Sequence, residues 1–417
     1  MTDPTAAPDC GHDAPSLPLD EANARIRAAL EPVTERRRVP LRDALGEVLA
    51  ETIVAADPVP AHDNSAMDGY ALRHADAALD SLRLVGSAFA GHPYDGELGP
   101  GECVRIMTGG VVPRGSDAVV MQERVTEADG QVRVQHWPEY GENIRRAGED
   151  LAAGDVILAP GRRITPADLG IIASMGRAEI WVHRPLRVAF FSTGDELRSL
   201  GEPLGPGEIF DSNRYSLFGM LSRMGVERVD LGVAPDDRAS LSQRLGEAAQ
   251  AADVIITSGG VSVGEADFMG EILRANGEAH FWSIAMKPGR PLTFGRFQNS
   301  WYFGLPGNPV SVMATFTQVV APALRYLAGE ARPPAPRRFR VPCLSPLRKK
   351  PGRQEFQRGR LTTGDDGALA VESVGRQGSG MLRSMSQADC FIVLPAEADD
   401  VAAGDWVAVE PFQGPLG

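Results

Sequence analysis

Cysteine is scarce and scattered. Four residues of 417 are cysteine, Cys10, Cys103, Cys343 and Cys390, and no two of them form a C-x-x-C pair. That pattern argues against a disulfide framework or a cysteine zinc site and fits reduced thiols. Cys10 and His12 stand close together, but two ligands in a Pro- and Ala-rich tail do not make a metal centre. Long apolar runs are also missing. No stretch approaches the ~20 residues of a membrane span, and no basic segment followed by a short apolar run marks a leader. The expected location is the cytoplasm, without membrane contact. Positive charge is in deficit, 42 Lys and Arg against 55 Asp and Glu, a net charge of -13. This argues against nonspecific nucleic-acid or membrane-surface binding. It leaves room for a local basic pocket holding a small anion.

What is present is an ordinary globular mix, 43% hydrophobic and 23% charged. The length exceeds one ordinary core, so two to four domains are expected. Residues 1–18 are rich in Pro, Ala and Asp and are expected to be disordered. Helical spacing is read over 20–30 and again over 41–52, where Leu41, Ala44, Leu45, Val48 and Leu49 share a face. From 58 to 163 the chain has short β-like runs, at 103–107, 118–121 and 131–135, broken by Gly and Pro. Thr165-Pro166 is a helix start. That helix is expected to pack with the N-terminal one, which makes the β part an insertion.

Residues 185–328 alternate strands (187–192, 229–233, 254–257, 302–305) with helices (215–224, 239–251, 268–275, and one after Asn308). This is the pattern of a doubly wound, mostly parallel α/β sheet. A Pro-rich linker begins at Ala331, and the remainder, with runs at 390–394 and 406–409, reads as a small β domain. The fold class is therefore multidomain α/β plus β. The expected division is a helical domain from 19–57 and 164–184, an inserted β domain at 58–163, an α/β domain at 185–330 and a C-terminal β domain at 336–417.

Three loops follow apolar strands in the α/β part. They hold Ser192, Thr193, Gly194, Asp195 and Glu196; Ser258, Gly259, Gly260, Ser262, Gly264, Glu265 and Asp267; and Pro306, Gly307, Asn308 and Pro309. Ligands bind outside the carboxyl ends of such strands. Glycines let backbone N–H groups approach an anion closely, and Asn308-Pro309 is a helix start. Asp195, Glu196, Glu265 and Asp267 share these loops, with Asp236 after another strand. Carboxylates beside an anion site point to a hard cation, most simply magnesium, so Asp195, Glu196, Asp236 and Asp267 are the candidate metal ligands. Met286 to Pro291 offers Lys287 and Arg290 on a proline-flanked turn, a point charge and a planar fork for an oxyanion. Asn64 to Tyr70 places an acid, an amide and a hydroxyl in one Gly-containing stretch. By itself that is only a turn.

Together these stretches resemble the molybdopterin molybdenumtransferase family, the bacterial MoeA proteins and the E domain of gephyrin. The matching segments are DNSAMDGYA, RIMTGG with VVMQE, STGDEL, DSN, SGGVSVGEADF, MKPGRP, GLPGNPVS and EFQRG, in the family's order from about residue 20 onward. STGDEL, SGGVSVGEAD and GLPGNP are also shared with related adenylyltransferases. DNSAMDGYA and the C-terminal β domain point to the insertase. The resemblance implies insertion of molybdenum from molybdate into adenylated molybdopterin, with AMP release and magnesium. It implies a doubly wound molybdopterin-binding domain with a helical part and two β domains. It also implies a homodimer in which Asp68 of one subunit approaches the cleft of the other. Carried over by motif, the active-site residues are Asp68, Thr108, Asp150, Glu196, Asp236, Asp267 and Lys287, and the molybdate pocket is Lys287, Arg290, Arg358 and Ser379. One departure is that Ser283 stands where the family usually has a basic residue, removing a cation from beside the anion site. Implied partners are the pterin substrate, the molybdopterin adenylyltransferase and recipient molybdoenzymes. An adenylyltransferase acting with ATP and a non-catalytic gephyrin-like scaffold are the alternative functions; the Asp68 motif and extra domains weigh against the first, the acidic loops against the second.

Overall fold

The computed structural model describes residues 16–260 and 268–412. Its first residues already pair. The Leu17 N–H donates to the Ser283 carbonyl at 2.7 Å, and the Ala285 N–H donates to the Leu17 carbonyl at 2.8 Å. Residues 16–18 are thus fixed on a strand edge rather than disordered, because the open edge satisfies their backbone groups. Residues 1–15, with Cys10 and His12, lie outside the described residues.

Helix α1 (Leu19–Ala29) buries Leu19, Ala22 and Ile26 on one stripe. It shares a core with Leu217, Phe303, Val319 and Leu324 of the α/β part. The helix expected over 41–52 does not form. Leu41–Ala44 makes one 3-10 turn, and Gly46 at φ +78° ends it. Around that turn the backbone is extended: Arg36–Pro40 pairs antiparallel with Glu179–His183, and Ile53–Val54 with Val156–Leu158. The segments at 19–57 and 164–184 are therefore mixed rather than helical. Helix α2 (Pro166–Ser174) starts at a reciprocal capping box between Thr165 and Asp168. Its Ile172 packs with Val39, Leu49 and Ile180, a core separate from that of α1. This corrects the expected helix pair.

The β-rich part between them holds a six-stranded sheet in the order Ala118–Met121, Gly69–Leu72, Glu102–Ile106, Leu82–Ala88, Gln131–Val134 and Val125–Ala128. Period-two alternation sends Tyr70 and Leu72 to one small core and Ala71 to another.

The α/β sheet runs Glu227–Ala234, Arg187–Thr193, Val254–Ser258, Ser300–Leu305, Pro291–Phe297 and Gly277–Ser283. The first four strands are parallel. The last two form an antiparallel extension. Alternate residues of the central strands feed two cores, as a sheet covered on both faces requires. Val188 and Phe190 meet α3 (Ser212–Arg223). Ala189 and Phe191 meet α4 (Arg238–Ala251) and α5 (Phe268–Asn276). The C-terminal sheet includes Gln354–Thr363 and Cys390–Leu394. Met286–Lys287 joins it, pairing parallel with Gln354 and Glu355, so the lysine turn ties the two sheets together. No helix among the described residues is long and apolar enough to cross a membrane.

Candidate functional site

From the Arg187–Thr193 strand the chain goes first to the Glu227–Ala234 edge and then crosses to Val254–Ser258 on the other side. Such a switch point leaves a crevice at the carboxyl ends of the strands. Here it is a cleft of about 780 Å³, walled on its far side by the lysine turn and the 377–379 loop. Thr193, Gly194, Gly259, Gly260, Pro306, Gly307 and Asn308 line it. Two of the glycines are obligatory. Gly259 has φ +87°, and a Cβ there would lie 2.4 Å from the Thr193 carbonyl oxygen; Gly260 has φ +65°. Pro309 begins helix α6 (Pro309–Thr315).

Ser192 and Ser258 do not reach the cleft. Both are buried. The Ser192 hydroxyl donates to Asp211 Oδ1 at 3.0 Å, which leaves Ser258 to donate to Ser192 Oγ at 2.8 Å. Asp211 also caps α3 by accepting from the Arg214 N–H. Two residues on, Asn213 donates to the Gly307 carbonyl at 2.7 Å. The DSN segment therefore braces two cleft loops from below. Its signal was in the sequence, as an Asp N-cap before a helix.

Glu196 and Asp236 line the cleft. Asp195 is exposed beside it, and its Oδ1 accepts from the Asp236 N–H at 3.0 Å. This joins the first loop to the Asp236 turn. Asp267, Ser262 and Gly264 lie outside the described residues. Among the described residues no group of three His, Cys, Asp or Glu could hold a metal ion. Two cleft carboxylates nevertheless suit magnesium, which takes one or two carboxylates and completes its shell with substrate phosphate and water.

The opposite wall is cationic. Lys287 Nζ donates to Glu355 at 3.2 and 3.3 Å, and half its side chain stays open to the cleft. Arg290 and Ser379 line the same wall, together with Arg353 and Gln377, which the motif reading passed over. Arg358 is placed differently. It is 1% exposed and is absent from the lining. Its guanidinium donates to Ser384 Oγ at 3.0 Å and to the carbonyls of Gly378 and Arg376 at 3.0 and 3.3 Å. Burial pushes its pKa down to about 10. Its charge sits under the 376–378 loop and holds it in shape.

Asp68, Thr108 and Asp150 belong to the β-rich part, and none of them lines this chain's cleft. Asp68 Oδ1 accepts from the Thr108 N–H at 2.7 Å and from its hydroxyl at 2.8 Å. The Thr108 N–H, and then its hydroxyl, hold the Asp68 carboxyl below its ordinary pKa. Asp150 is exposed, with its backbone N–H on the Val59 carbonyl.

Three family models match in the order of these units. They are the MoeA N-terminal region (domain I and II) over residues 17–176, a probable molybdopterin binding domain over 189–326, and the MoeA C-terminal region (domain IV) over 340–412. The chain is 43% identical over 403 residues to a molybdopterin molybdenumtransferase of Haemophilus influenzae, covering 96% of this chain and all of that one. The chain belongs to the molybdopterin molybdenumtransferase (MoeA) family. A second member, from Nostoc, is 36% identical over 89% of this chain and 87% of its own. The solved MoeA protein of Pyrococcus horikoshii superposes with a TM-score of 0.81 at 27% identity, over 95% of this chain and all of that one. Membership places the chain among the transferases of molybdenum cofactor biosynthesis.

Proposed function

We propose that this chain takes adenylated molybdopterin and molybdate as substrates and inserts molybdenum into the dithiolene with release of AMP. The observation that supports it best is a single cleft with three chemistries on its walls. Backbone N–H groups of the turns at Gly260 and Gly307 suit a phosphate, while the Gly259 N–H holds the loop by donating to the Leu305 carbonyl at 3.1 Å. Glu196 and Asp236 suit a divalent cation. Lys287, Arg290 and Arg353 suit an oxyanion. Magnesium, when bound by Glu196 and Asp236, supplies charge neutralisation at the phosphoanhydride. Lys287 and Arg290 orient molybdate toward the dithiolene, and the Gly turns exclude side chains from the pyrophosphate path. Asp267 is carried with these acids by motif.

The same reading includes a homodimer. Asp68, Thr108 and Asp150 of one subunit serve the cleft of the other. Two observations support this. Asp68 is exposed and does not line its own chain's cleft. Ile209 and Phe210 are exposed apolar side chains paired with the segment after Glu196, whose carbonyl accepts from the Ile209 N–H, and Leu200, Tyr215 and Phe218 are exposed apolar side chains of the same α/β part. The molybdopterin adenylyltransferase supplies the substrate, apo-molybdoenzymes receive the product, and the reaction takes place in the cytoplasm.

The test is reconstitution. Protein supplied with adenylated molybdopterin, magnesium and molybdate should yield a cofactor that activates an apo-molybdoenzyme. Folded protein that yields none from intact substrate contradicts the reading.

A further inference from the structure

Arg290 carries a side-chain network that the cleft chemistry leaves unexplained. Its Nε donates to Ser283 Oγ at 2.8 Å. Ser283 Oγ lies 2.9 Å from Ser16 Oγ. A hydroxyl has one proton and two lone pairs. Once Ser283 accepts from Arg290, its own proton is free for Ser16. The relay runs from guanidinium to hydroxyl to hydroxyl.

The backbone fixes both ends of that relay. Ser283 stands opposite Pro291 in the antiparallel pair, one residue from Arg290. The Ile284 N–H donates to the Arg290 carbonyl at 2.7 Å. Ser16 is delivered by the Leu17 pairing on the same edge. Ser283 and Arg290 both line the cleft.

We propose that Ser283, backed by Ser16, is a positioning residue that orients Arg290 for the oxyanion substrate. With Nε committed to Ser283, the two terminal nitrogens form the edge left for a bidentate oxyanion. A freely rotating arginine loses rotamer entropy on binding; one already fixed loses less. The N-terminal segment thereby shapes an anion subsite more than 260 residues away in sequence. The inference rests on the reading of this cleft as an oxyanion site.

The experiment is molybdate binding to the full-length protein by calorimetry, alongside steady-state kinetics. Ser283→Ala should weaken molybdate binding by roughly three- to tenfold, the net worth of one ordinary hydrogen bond, because Arg290 keeps its charge and loses only its anchor. It should raise KM for molybdate more than it lowers kcat. Ser283→Thr keeps the hydroxyl and should restore binding. Ser283→Ala should add nothing in an Arg290→Ala background. Ser283→Lys sets an ammonium beside the guanidinium and should fail to restore Arg290-dependent binding. If Arg290→Ala weakens binding but Ser283→Ala does not, the positioning role is wrong and the oxyanion site stands. If neither variant changes molybdate affinity, the oxyanion reading itself falls.

Discussion

Asp68 and Thr108 form a closed pair: one carboxylate oxygen accepts both the backbone N–H and the hydroxyl of the same threonine. The two donors favour the ionised form of a carboxylate that lies exposed at the surface. Thr108→Ala removes one of the two donors and should lower turnover by roughly tenfold, the scale of one hydrogen bond to a charged group. Thr108→Ser should retain near-full activity, and neither variant should shift Tm by more than a degree or two. Equal activity for the Ala and Ser variants would show that the hydroxyl does not matter.

If Asp68 serves the partner's cleft, complementation follows. Asp68→Ala and Lys287→Ala damage different contributions to each composite site. Refolded together at equal ratio, half the dimers are mixed and each mixed dimer has one intact site. Activity should return to roughly a quarter of wild type per site by that counting. Recovery near zero, with mixed dimers confirmed by mass, would place both residues in one subunit's site.

The glycines of the cleft separate folding from binding. Gly259→Ala adds a Cβ 2.4 Å from the Thr193 carbonyl oxygen at φ +87°, and should cost about 2 kcal/mol or more of stability along with activity. The nearest atom to a Cβ on Gly307 is 3.9 Å away, Gly259 Cα. Gly307→Ala should therefore leave Tm unchanged while raising KM for the pterin. Denaturant melts and substrate titrations read the two effects apart.

These glycines show what was legible beforehand. Val254–Ser258 is a wholly buried strand running straight into two glycines, and that pattern needs no tertiary information. Ser192 and Ser258 were less legible, because only the parallel pairing of their two strands lets Ser258 donate to Ser192, which in turn donates to Asp211. The 41–52 segment misled because Ala44 and Leu49 enter a small core from an irregular backbone, and burial alone mimics helical spacing. Gly277–Ser283 and Pro291–Phe297 went unread as strands, and their pairing is what sets Ser283 beside Arg290. For Arg358 the motif order gave a place in the chain but not a burial, and burial decides its role.

That role predicts a structural phenotype. Arg358→Ala leaves the Arg376 and Gly378 carbonyls without their donor and empties a buried space. It should destabilise the protein by about 2–4 kcal/mol and loosen the loop that presents Gln377 and Ser379 to the cleft. Hydrogen exchange at 376–380 should rise. Unchanged exchange with lost molybdate binding would instead make Arg358 a direct ligand.

The junction before the first α/β strand should make stability depend on pH. Arg184 binds Asp253 through both terminal nitrogens, at 2.7 and 2.9 Å. Burial opposes ionisation of Asp253, but hydrogen bonds from Arg184 and the Arg187 N–H hold its carboxyl below the ordinary value. A depressed folded pKa contributes stability above the unfolded pKa and loses it as pH falls through the folded one. Asp253→Asn should therefore cost about 1–3 kcal/mol at pH 7, and the deficit should shrink below about pH 4. Melts of both proteins across that range give the curve.

In the proposed reaction one cleft couples an adenylated pterin to an oxyanion. Its most direct test is AMP release from adenylated molybdopterin and magnesium, measured with and without molybdate, in wild type and in Lys287→Ala. AMP release should depend on molybdate, at one AMP per molybdenum inserted, and the variant should need far more molybdate for the same rate. AMP release indifferent to molybdate, or unchanged by loss of the Lys287 ammonium, would contradict it.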